Sequence, residues 1–307
     1  MAQYLAAPME GVTGLVWRRA HRQIFGGADL YYAPFVSPDQ NLHFQTKELR
    51  ELSGGEQDLV PQILTNRSDL FIWAAKELRH MGFGEINLNT GCPSGTVVAK
   101  HKGSGMLRDA EWLDHFFEDV FTALPDVPIS VKTRIGIRDT EEWESLRHVF
   151  EKYPFRRLIV HPRLQREFYT GSARREVFQA LSEVSSLPLV YNGDIRRADD
   201  SAFSFGTDVM VGRGLTQNPS LFREVRGGKK ASREELSAFH EQVLNGYASV
   251  LPGQTAVLYR MLEFWHYFID AFSGAEPLFK KMTKSKTLSA YQEYAGEILR
   301  DLPLAEV

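Results

Sequence analysis

Short apolar runs recur along the first two-thirds of the chain, each rich in Val, Ile, Leu or Tyr and bounded by turn-forming residues. Such runs are typical of buried β-strands. They occupy residues 4–8, 30–35, 59–64, 85–89, 128–134, 157–163, 187–193 and 208–213. Segments with helical spacing separate most of them, among them residues 15–25, 68–81 and 110–124. In the last segment Trp112, Phe116 and Val120 recur every fourth residue, which predicts that they form the buried face of a helix.

Strands that alternate with helices predict a parallel sheet. Eight such units within about 215 residues match a closed (β/α)8 barrel, the TIM barrel, in number and in length. An open doubly wound sheet is the alternative, but its first strand is usually followed by G-x-G-x-x-G. Here the first strand continues as APMEGVTG, which does not fit that pattern. The predicted fold is therefore α/β, with a TIM barrel.

The pattern changes near Ser232. No strand-like run follows, whereas residues 235–251, 258–272 and 289–299 have helical spacing. The segment GGKKAS at 227–232 is rich in Gly and Lys and is typical of a linker. We expect a catalytic barrel domain over residues 1–228 and a small helical domain over residues 232–307.

Composition narrows the class of protein. The chain has 307 residues, of which 43% are hydrophobic and 24% charged, and it contains one cysteine, Cys92. A single cysteine excludes an intrachain disulfide and favours a reducing compartment. We expect a cytoplasmic protein, because the N-terminus lacks the pattern of a signal peptide and no apolar run is long enough to span a membrane. The net charge of -3 argues against nonspecific coating of nucleic acid but permits local basic patches.

Polar side chains and glycines occupy the carboxyl ends of the predicted strands. In a TIM barrel these ends meet at one mouth, where the active site lies. The candidates there are Pro8, Met9, Glu10, Gln62, Asn87, Asn89, Lys132, Arg134, His161, Arg163, Asn192, Gly193, Asp194, Gly212 and Arg213. Any one of them could be an ordinary loop residue, but the whole set predicts a polar site.

The last two strand ends indicate phosphate binding. Gly193 and Gly212 leave backbone N–H groups accessible, and Arg213 adds a positive charge. Asn218 and Pro219 predict the start of a helix nearby, as its N-cap and first residue. Phosphate is commonly held at this place in such barrels.

Three further side chains at the strand ends could bind the ring system of a cofactor or a base. Lys132 offers positive charge to an electron-rich ring such as a reduced flavin, and Gln62 and Asn89 could pair with an amide-like ring edge.

Seven motifs, APMEGVT, INLNTGCPS, KGSGML, VKTRIG, VHPRLQREFYTGSA, NGDI and VGRG, follow one another between residues 6 and 214. In this order the chain resembles the tRNA-dihydrouridine synthases. The resemblance implies an FMN-dependent barrel, a C-terminal helical domain that binds tRNA, NADPH or NADH as electron donor, and no metal. We also expect a monomer.

The resemblance implies a role for each candidate. FMN would be bound by Pro8, Met9, Glu10, Gln62, Lys132, His161, Asn192, Gly193, Asp194, Gly212 and Arg213. The substrate would be contacted by Asn89, Lys102, Arg134 and Arg163. The family usually continues its His strand as H-G-R-T, whereas this chain has His161, Pro162, Arg163 and Leu164. Contacts that the family makes through that glycine and threonine are therefore not implied here.

The position of Cys92 agrees with the reaction that the resemblance implies. Reduction of the uracil 5,6 double bond needs a hydride, from flavin N5, and a proton from the opposite side. A thiol, with an ordinary pKa of about 8.5, is still protonated near neutral pH, whereas an exposed carboxylate is not. Cys92 is therefore the expected proton donor. The alternative, a small buried hydrophobic residue, is the usual fate of a lone cysteine.

A uridine within folded RNA must leave its stack to reach such a site. Phosphate contacts would then supply affinity, with candidate donors Lys100, Lys102, Lys229, Lys230, Lys280, Lys281, Lys284 and Lys286. The aromatic stripe of Trp265, Tyr267 and Phe268 is expected to be helical core rather than a stacking surface.

Two other functions remain open on the residues alone. A flavin barrel of the dihydroorotate dehydrogenase type could use a loop cysteine on a free pyrimidine, but it would not need the helical extension. A non-enzymatic RNA-binding protein on a decayed barrel is the second alternative, and the retention of Cys92, Lys132 and His161 argues against it.

Overall fold

The computed structural model describes residues 2–306 and forms one parallel sheet. Its strands are β1 Tyr4–Ala6, β2 Leu30–Tyr32, β3 Leu59–Val60, β4 Gln62–Ile63, β5 Ile86–Thr90, β6 Ile129–Arg134, β7 Arg157–His161, β8 Leu189–Asn192 and β9 Asp208–Val211. They pair in the order β3-β2-β1-β9-β8-β7-β6-β5-β4. The two edge strands, β3 and β4, are consecutive in the chain, so the sheet closes on itself. The predicted TIM barrel is confirmed.

The third predicted strand is divided in two by Pro61. Proline has no backbone N–H and interrupts the ladder. Before it, β3 pairs with β2, and after it, β4 pairs with β5. The carbonyl of Pro61 still accepts a hydrogen bond from the N–H of Asn87 at 3.0 Å.

Helices surround the barrel and continue beyond it. They are α1 Leu15–Ile24, α2 Thr46–Leu52, α3 Ser68–His80, α4 Gly95–Val98, α5 Ala110–Ala123, α6 Glu142–Glu151, α7 Arg175–Val184, α8 Arg213–Gln217, α9 Leu221–Val225, α10 Arg233–Val250, α11 Gln254–Phe268, α12 Glu276–Met282 and α13 Leu288–Asp301. Short 3-10 turns lie at Gly103–Arg108, Gln165–Glu167, Ser201–Ser204 and Ile269–Ala271. The predicted helices at 15–25, 68–81 and 110–124 correspond to α1, α3 and α5.

The buried face of α5 differs from the predicted one. Phe116 and Val120 are buried, but Trp112 is 37% exposed. Leu113 and Phe117 are buried in its place. The core-facing side of α5 is thus rotated by about one residue position, and Trp112 lies at its margin with its ring 5.9 Å from that of Phe116.

The barrel interior is closed below the mouth by apolar side chains. They are Leu5, Ala7, Tyr32, Val60, Ile159, Val190 and Met210. At the amino end of the strands, Glu85 forms a buried ion pair with Arg157 and accepts a hydrogen bond of 2.9 Å from the Tyr32 hydroxyl. The open, polar space therefore lies at the carboxyl end.

The C-terminal helical region packs directly on the barrel. Helix α10 lies against α1, where the ring of Phe239 is 6.1 Å from that of Trp17. Helix α10 begins after Ser232, whose hydroxyl accepts a hydrogen bond from the N–H of Glu235. The region thus shares the hydrophobic core that the barrel strands form with their helices.

Polar groups inside the helical region pair with one another. The Tyr291 hydroxyl accepts a hydrogen bond from Trp265 Nε1 at 2.7 Å and contacts His240 Nε2 at 2.6 Å. Trp265 and Phe268 are fully buried, so for these two the expectation of helical core is confirmed. None of the helices within residues 2–306 is both long and apolar enough to cross a bilayer.

Candidate active site

A cavity of about 280 Å³ opens at the carboxyl ends of the strands. The structure brings together at its wall nearly all candidate residues: Pro8, Met9, Glu10, Gln62, Asn89, Cys92, Lys132, Arg134, His161, Asn192, Gly193, Asp194, Gly212 and Arg213. Asn87, Lys102 and Arg163 are the three that do not line it. Side chains on β6 alternate between the faces of the sheet, so Lys132 and Arg134 point into the barrel together.

The loop that carries Cys92 is held from both sides. Asn89 Oδ1 accepts hydrogen bonds from the N–H groups of Gly91 at 3.0 Å and of Cys92 at 2.9 Å. The Cys92 carbonyl accepts hydrogen bonds from the N–H of Ser104 at 3.0 Å and from its hydroxyl at 2.8 Å. Gly103 has φ of +56°, and a Cβ there would lie 2.8 Å from the Cys92 carbonyl oxygen. The K-x-G-S segment is thus a clamp on the cysteine loop.

A chain of buried side-chain hydrogen bonds supports this loop from inside the barrel. Asn87 Nδ2 donates to Ser130 Oγ at 2.8 Å, and Gln62 Nε2 donates to Asn87 Oδ1 at 2.7 Å. Asn89 Nδ2 then donates to Gln62 Oε1 at 2.8 Å. The chain crosses from β6 through β5 to β4, and it ends on the backbone of Cys92.

The Cys92 thiol is half-buried and remains protonated at neutral pH. Burial raises its pKa above the ordinary value, against the opposing effects of a hydrogen bond from the Ser94 backbone and of nearby Arg134 and Lys132. The same two cations favour the thiolate once a proton has left. The group can therefore donate a proton.

Lys132 places an amino group without a hydrogen-bond partner in the cavity. No hydrogen bond or salt bridge joins its Nζ to any other part of residues 2–306. Burial, followed by repulsion from Arg134, lowers its pKa to about 7, whereas proximity to Cys92 acts in the opposite direction. An electron-rich or anionic group in the cavity would be attracted to this position.

Arg134 is both a wall of the cavity and a brace for the loop after β7. Its Nε donates to the Gly91 carbonyl at 3.0 Å, Nη1 to the Leu164 carbonyl at 2.9 Å and Nη2 to the Phe168 carbonyl at 2.7 Å. Phe168 has a left-handed φ of +50°. The loop after β7 is therefore tied to the cysteine loop through a single guanidinium.

The turn after β8 differs from the one predicted. Asp194 Oδ1 accepts hydrogen bonds from Arg163 and from Arg213 at 2.9 Å each, and Oδ2 accepts one from the N–H of Ala173 at 2.8 Å. Burial alone would raise the pKa of Asp194, but the hydrogen bond from Arg163 and the others lower it below the ordinary value. The carboxylate thus organises arginines, and only the backbone of this turn is available for a phosphate.

The segments after β8 and β9 touch through a glycine. A Cβ on Gly214 would lie 1.9 Å from the Ile195 carbonyl oxygen, so no other residue fits. Helix α8 begins at Arg213, directly after Gly212, and α9 begins at Leu221 with Ser220 as its N-cap. The predicted helix start at Pro219 is therefore two residues early, although Asn218 Oδ1 does accept a hydrogen bond from the Ser220 N–H.

Lys102 follows the cysteine loop in the chain and does not line the cavity. Burial, followed by repulsion from Lys100, lowers its pKa, while Glu48 acts to raise it. Glu48 lines a second cavity of about 250 Å³, which shares Glu10, Pro34 and Phe35 with the first.

Two tyrosines complete the site and were not predicted. Tyr169 lies in the loop after β7, and its ring centroid is 4.7 Å from the guanidinium carbon of Arg213 and 5.3 Å from that of Arg134. Tyr267 reaches the same cavity from α11 of the helical region, so the expectation that it belongs to the helical core is wrong for this residue. The motif REFYTGSA contains Tyr169, so its sequence position was a usable signal, whereas nothing local marked Tyr267.

A model of the dihydrouridine synthase (Dus) family matches residues 5–295. The chain belongs to the dihydrouridine synthase family. It is 28% identical over 301 residues to a probable tRNA-dihydrouridine synthase of Staphylococcus aureus (strain COL), covering 93% of this chain and 90% of that protein. It is 30% identical over 228 residues to tRNA-dihydrouridine synthase B of Pseudomonas syringae pv. tomato (strain ATCC BAA-871 / DC3000), covering 72% of this chain and 67% of that protein.

A solved structure supports the fold of this dihydrouridine synthase family member. The crystal structure of TcOYE with pHBA superposes with a TM-score of 0.51 at 11% identity, covering 81% of this chain and 95% of that chain. The identity is low, so this likeness concerns the barrel alone. Within residues 2–306, no group of three or more His, Cys, Asp or Glu side chains is arranged to hold a metal ion.

This dihydrouridine synthase accommodates its departures from the family sequence through the backbone. The Pro162 carbonyl accepts a hydrogen bond from the Arg174 N–H at 2.9 Å. The Leu164 N–H donates to Glu167 Oε2 at 2.8 Å, and the Leu164 side chain is buried. Leu164 therefore contributes apolar packing at this position.

Proposed function

We propose that this enzyme reduces a uridine of tRNA to 5,6-dihydrouridine, with FMN as cofactor and NADPH or NADH as electron donor. One observation carries the proposal: the Cys92 thiol and the Lys132 amino group, which has no hydrogen-bond partner, line the same cavity at the barrel mouth. The family and its relatives, which are named for this reaction, support it. A free-pyrimidine oxidoreductase is disfavoured by the family match.

The cavity residues fit FMN. The protonated form of Lys132 suits an electron-rich ring, and the backbone at Gly193 and Gly212 with Arg213 suits a phosphate. We assign the ring to Pro8, Met9, Glu10, Gln62, Lys132 and His161, and the phosphate to Asn192, Gly193, Asp194, Gly212 and Arg213. When bound, FMN supplies the hydride for the reaction.

Cys92 supplies the proton. Its raised pKa keeps the thiol protonated at neutral pH, and Asn89 and Ser104 fix the loop that presents it. As the proton moves to the uracil carbon, Arg134 and Lys132 stabilise the thiolate that is left, and a proton from solvent restores the thiol. Fixed charges in a buried site are effective because they need no reorganisation during the reaction.

The electron donor and the RNA would use the same mouth in turn. The described residues offer no glycine-rich dinucleotide motif for a separate nicotinamide site. By analogy with the family, the nicotinamide and the everted uridine would occupy this mouth one after the other.

The RNA that flanks the uridine has a place beside the mouth. The second cavity is bounded by Lys47, Glu48 and Arg50 of α2 and by Tyr247 and Arg260 of the helical region. Lys47 and Lys102 both interact with the Glu48 carboxylate, and Lys100 interacts with Lys102; we call these three lysines the basic rim. Neighbouring phosphates would bind to this rim. The lysines at 280–286, on and after α12, remain a second predicted contact surface.

The deciding experiment combines reconstitution with RNA analysis. Purified protein should carry a yellow flavin and convert one uridine in unmodified tRNA transcripts to dihydrouridine when NADPH or NADH is added. Nucleoside mass spectrometry with site mapping measures the product. Loss of dihydrouridine at one tRNA position in a strain lacking the gene identifies the target. A protein without flavin, or one that reduces only free pyrimidines, contradicts the proposal.

A further inference from the structure

All five N–H groups of the Arg163 guanidinium have partners inside the protein. Nε donates to the Thr170 carbonyl at 3.3 Å. Nη1 donates to Asp194 Oδ1 and to His161 Nε2, both at 2.9 Å. Nη2 donates to the Gly171 carbonyl at 2.6 Å and to Asp194 Oδ2 at 2.5 Å. Because the side chain is 1% exposed and no donor is left, it cannot contact the substrate as the sequence predicts.

The contact with Arg163 fixes the tautomer of His161. An arginine can only donate, so His161 Nε2 must accept, and the proton of the neutral ring lies on Nδ1. Burial, together with the surrounding Arg134, Lys132, Arg163 and Arg213, holds the His161 pKa well below 6.5, so the ring is neutral.

The second ring nitrogen of His161 is available to a ligand. Nδ1 has no hydrogen-bond partner within residues 2–306. It is accessible to solvent, because it is not one of the fully buried polar side-chain atoms that lack a partner. The ring lines the cavity, and its other nitrogen is turned toward Arg163 behind the wall. The Nδ1–H therefore faces the cavity.

We propose that Arg163 is a positioning residue, which locks His161 as the Nδ1–H tautomer so that the ring donates a hydrogen bond to an electron-rich edge of the bound cofactor. Arg163 also holds Asp194, whose Oδ1 accepts from Arg213. Arg163 thus positions two groups: the His161 N–H that would donate to the cofactor ring, and the Arg213 guanidinium that would bind the cofactor phosphate. The ligand named here rests on the proposed function, whereas the tautomer does not.

The tautomer can be measured on the cofactor-free protein. Long-range 1H–15N correlation spectra of 15N-histidine protein should show His161 with a protonated Nδ1 and an unprotonated Nε2. In Arg163→Met, which removes the donor, the Nε2–H form should appear. The matched control is Arg174→Met, because Arg174 lies in the same loop but pairs with Glu167 away from the cavity. An Nε2–H tautomer in the unmodified protein, or no change in Arg163→Met, overturns the proposal.

A second pair of variants does not depend on the folding of Arg163→Met. The amide nitrogen of Asn takes the position of Nδ1, and that of Gln takes the position of Nε2. His161→Asn should bind FMN about tenfold more tightly than His161→Gln, measured by quenching of FMN fluorescence. Equal affinities, or tighter binding by the Gln variant, overturn the proposal. If the unmodified protein binds no FMN, the proposed function fails, and the spectra still decide the tautomer.

Discussion

The side chain of Asn89 holds the backbone of Cys92, whose N–H donates to Asn89 Oδ1 at 2.9 Å. Oδ1 is the terminal acceptor of the buried amide chain that begins at Ser130. The thiol is therefore located by side chains of the strands, and the loop itself needs little intrinsic stiffness.

Asn89→Ala should loosen the cysteine loop without unfolding the barrel. The N–H groups of Gly91 and Cys92 lose their acceptor, so their amide hydrogens should exchange with solvent at least tenfold faster, which hydrogen exchange measures on the cofactor-free protein. Asn89→Asp keeps the acceptor oxygen but loses the donor to Gln62, so it should preserve this protection. Unchanged exchange in Asn89→Ala would show that the loop is held by Ser104 alone.

Cys92→Ala should retain the flavin and lose most of the turnover. A positioned general acid contributes about 100-fold to 10,000-fold, so dihydrouridine formation on tRNA should fall by at least about 100-fold. The rate of flavin reduction by the nicotinamide should stay within about twofold, which serves as the internal control. Turnover by Cys92→Ala at the rate of the unmodified enzyme would remove the acid role.

The stability of the cofactor-free protein should depend on Lys132 between pH 7 and 10.5. Its folded-state pKa is about 7 and its ordinary value is 10.5, so the unfolded chain binds the additional proton in this window. Stability due to this residue therefore rises with pH there. Lys132→Met should be more stable than the parent at pH 7, and the difference should narrow toward pH 9.5.

Chemical denaturation at several pH values measures this difference. Both chains should carry Cys92→Ala, because burial also raises the pKa of the thiol, and the thiol interacts with Lys132. A difference that does not vary with pH would place the Lys132 pKa outside the window.

Binding of tRNA should depend on salt through the basic rim. Lys47 has no hydrogen bond or ion pair within the described part of the chain, so it is available to a phosphate. Lys47→Ala should weaken tRNA binding and reduce the slope of log K against log salt by about one. Lys76→Ala, on the outer helix α3, is the control and should leave the slope unchanged. Equal slopes for both variants would exclude the rim as a phosphate site.

Glu85→Gln should destabilise the barrel at its amino end. The substitution leaves the buried Arg157 without its close anionic partner, and loss of one member of a buried pair costs about 3 kcal/mol of unfolding free energy. Glu151→Gln removes the partly exposed partner of Arg147 and should cost less than about 1 kcal/mol. Urea denaturation measures the loss of unfolding free energy in each variant. Similar losses would mean that the buried pair stabilises the protein no more than the partly exposed one.

The barrel could be predicted from the sequence because buried parallel strands appear as short apolar runs and amphipathic helices as apolar residues at helical spacing. The sequence was also sufficient to gather most of the cavity wall, since strand ends converge by topology. It could not assign partners: Arg163 and Asp194 are polar residues at the mouth, and only the folded chain shows that they bind one another. Tyr267 was hidden for a different reason, because it arrives from a helix far away in the chain.

The amide chain from Ser130 to Asn89 has a consequence for engineering. Its members lie on three adjacent strands, β6, β5 and β4, and each must face inward in the pairing register that the sheet adopts. If the N-T-G-C-P loop is grafted onto another barrel, the thiol will be present but will not be held in the same position. The recipient must also supply matching amide side chains on those strands. Chimeras in this family should therefore exchange whole strand–loop units.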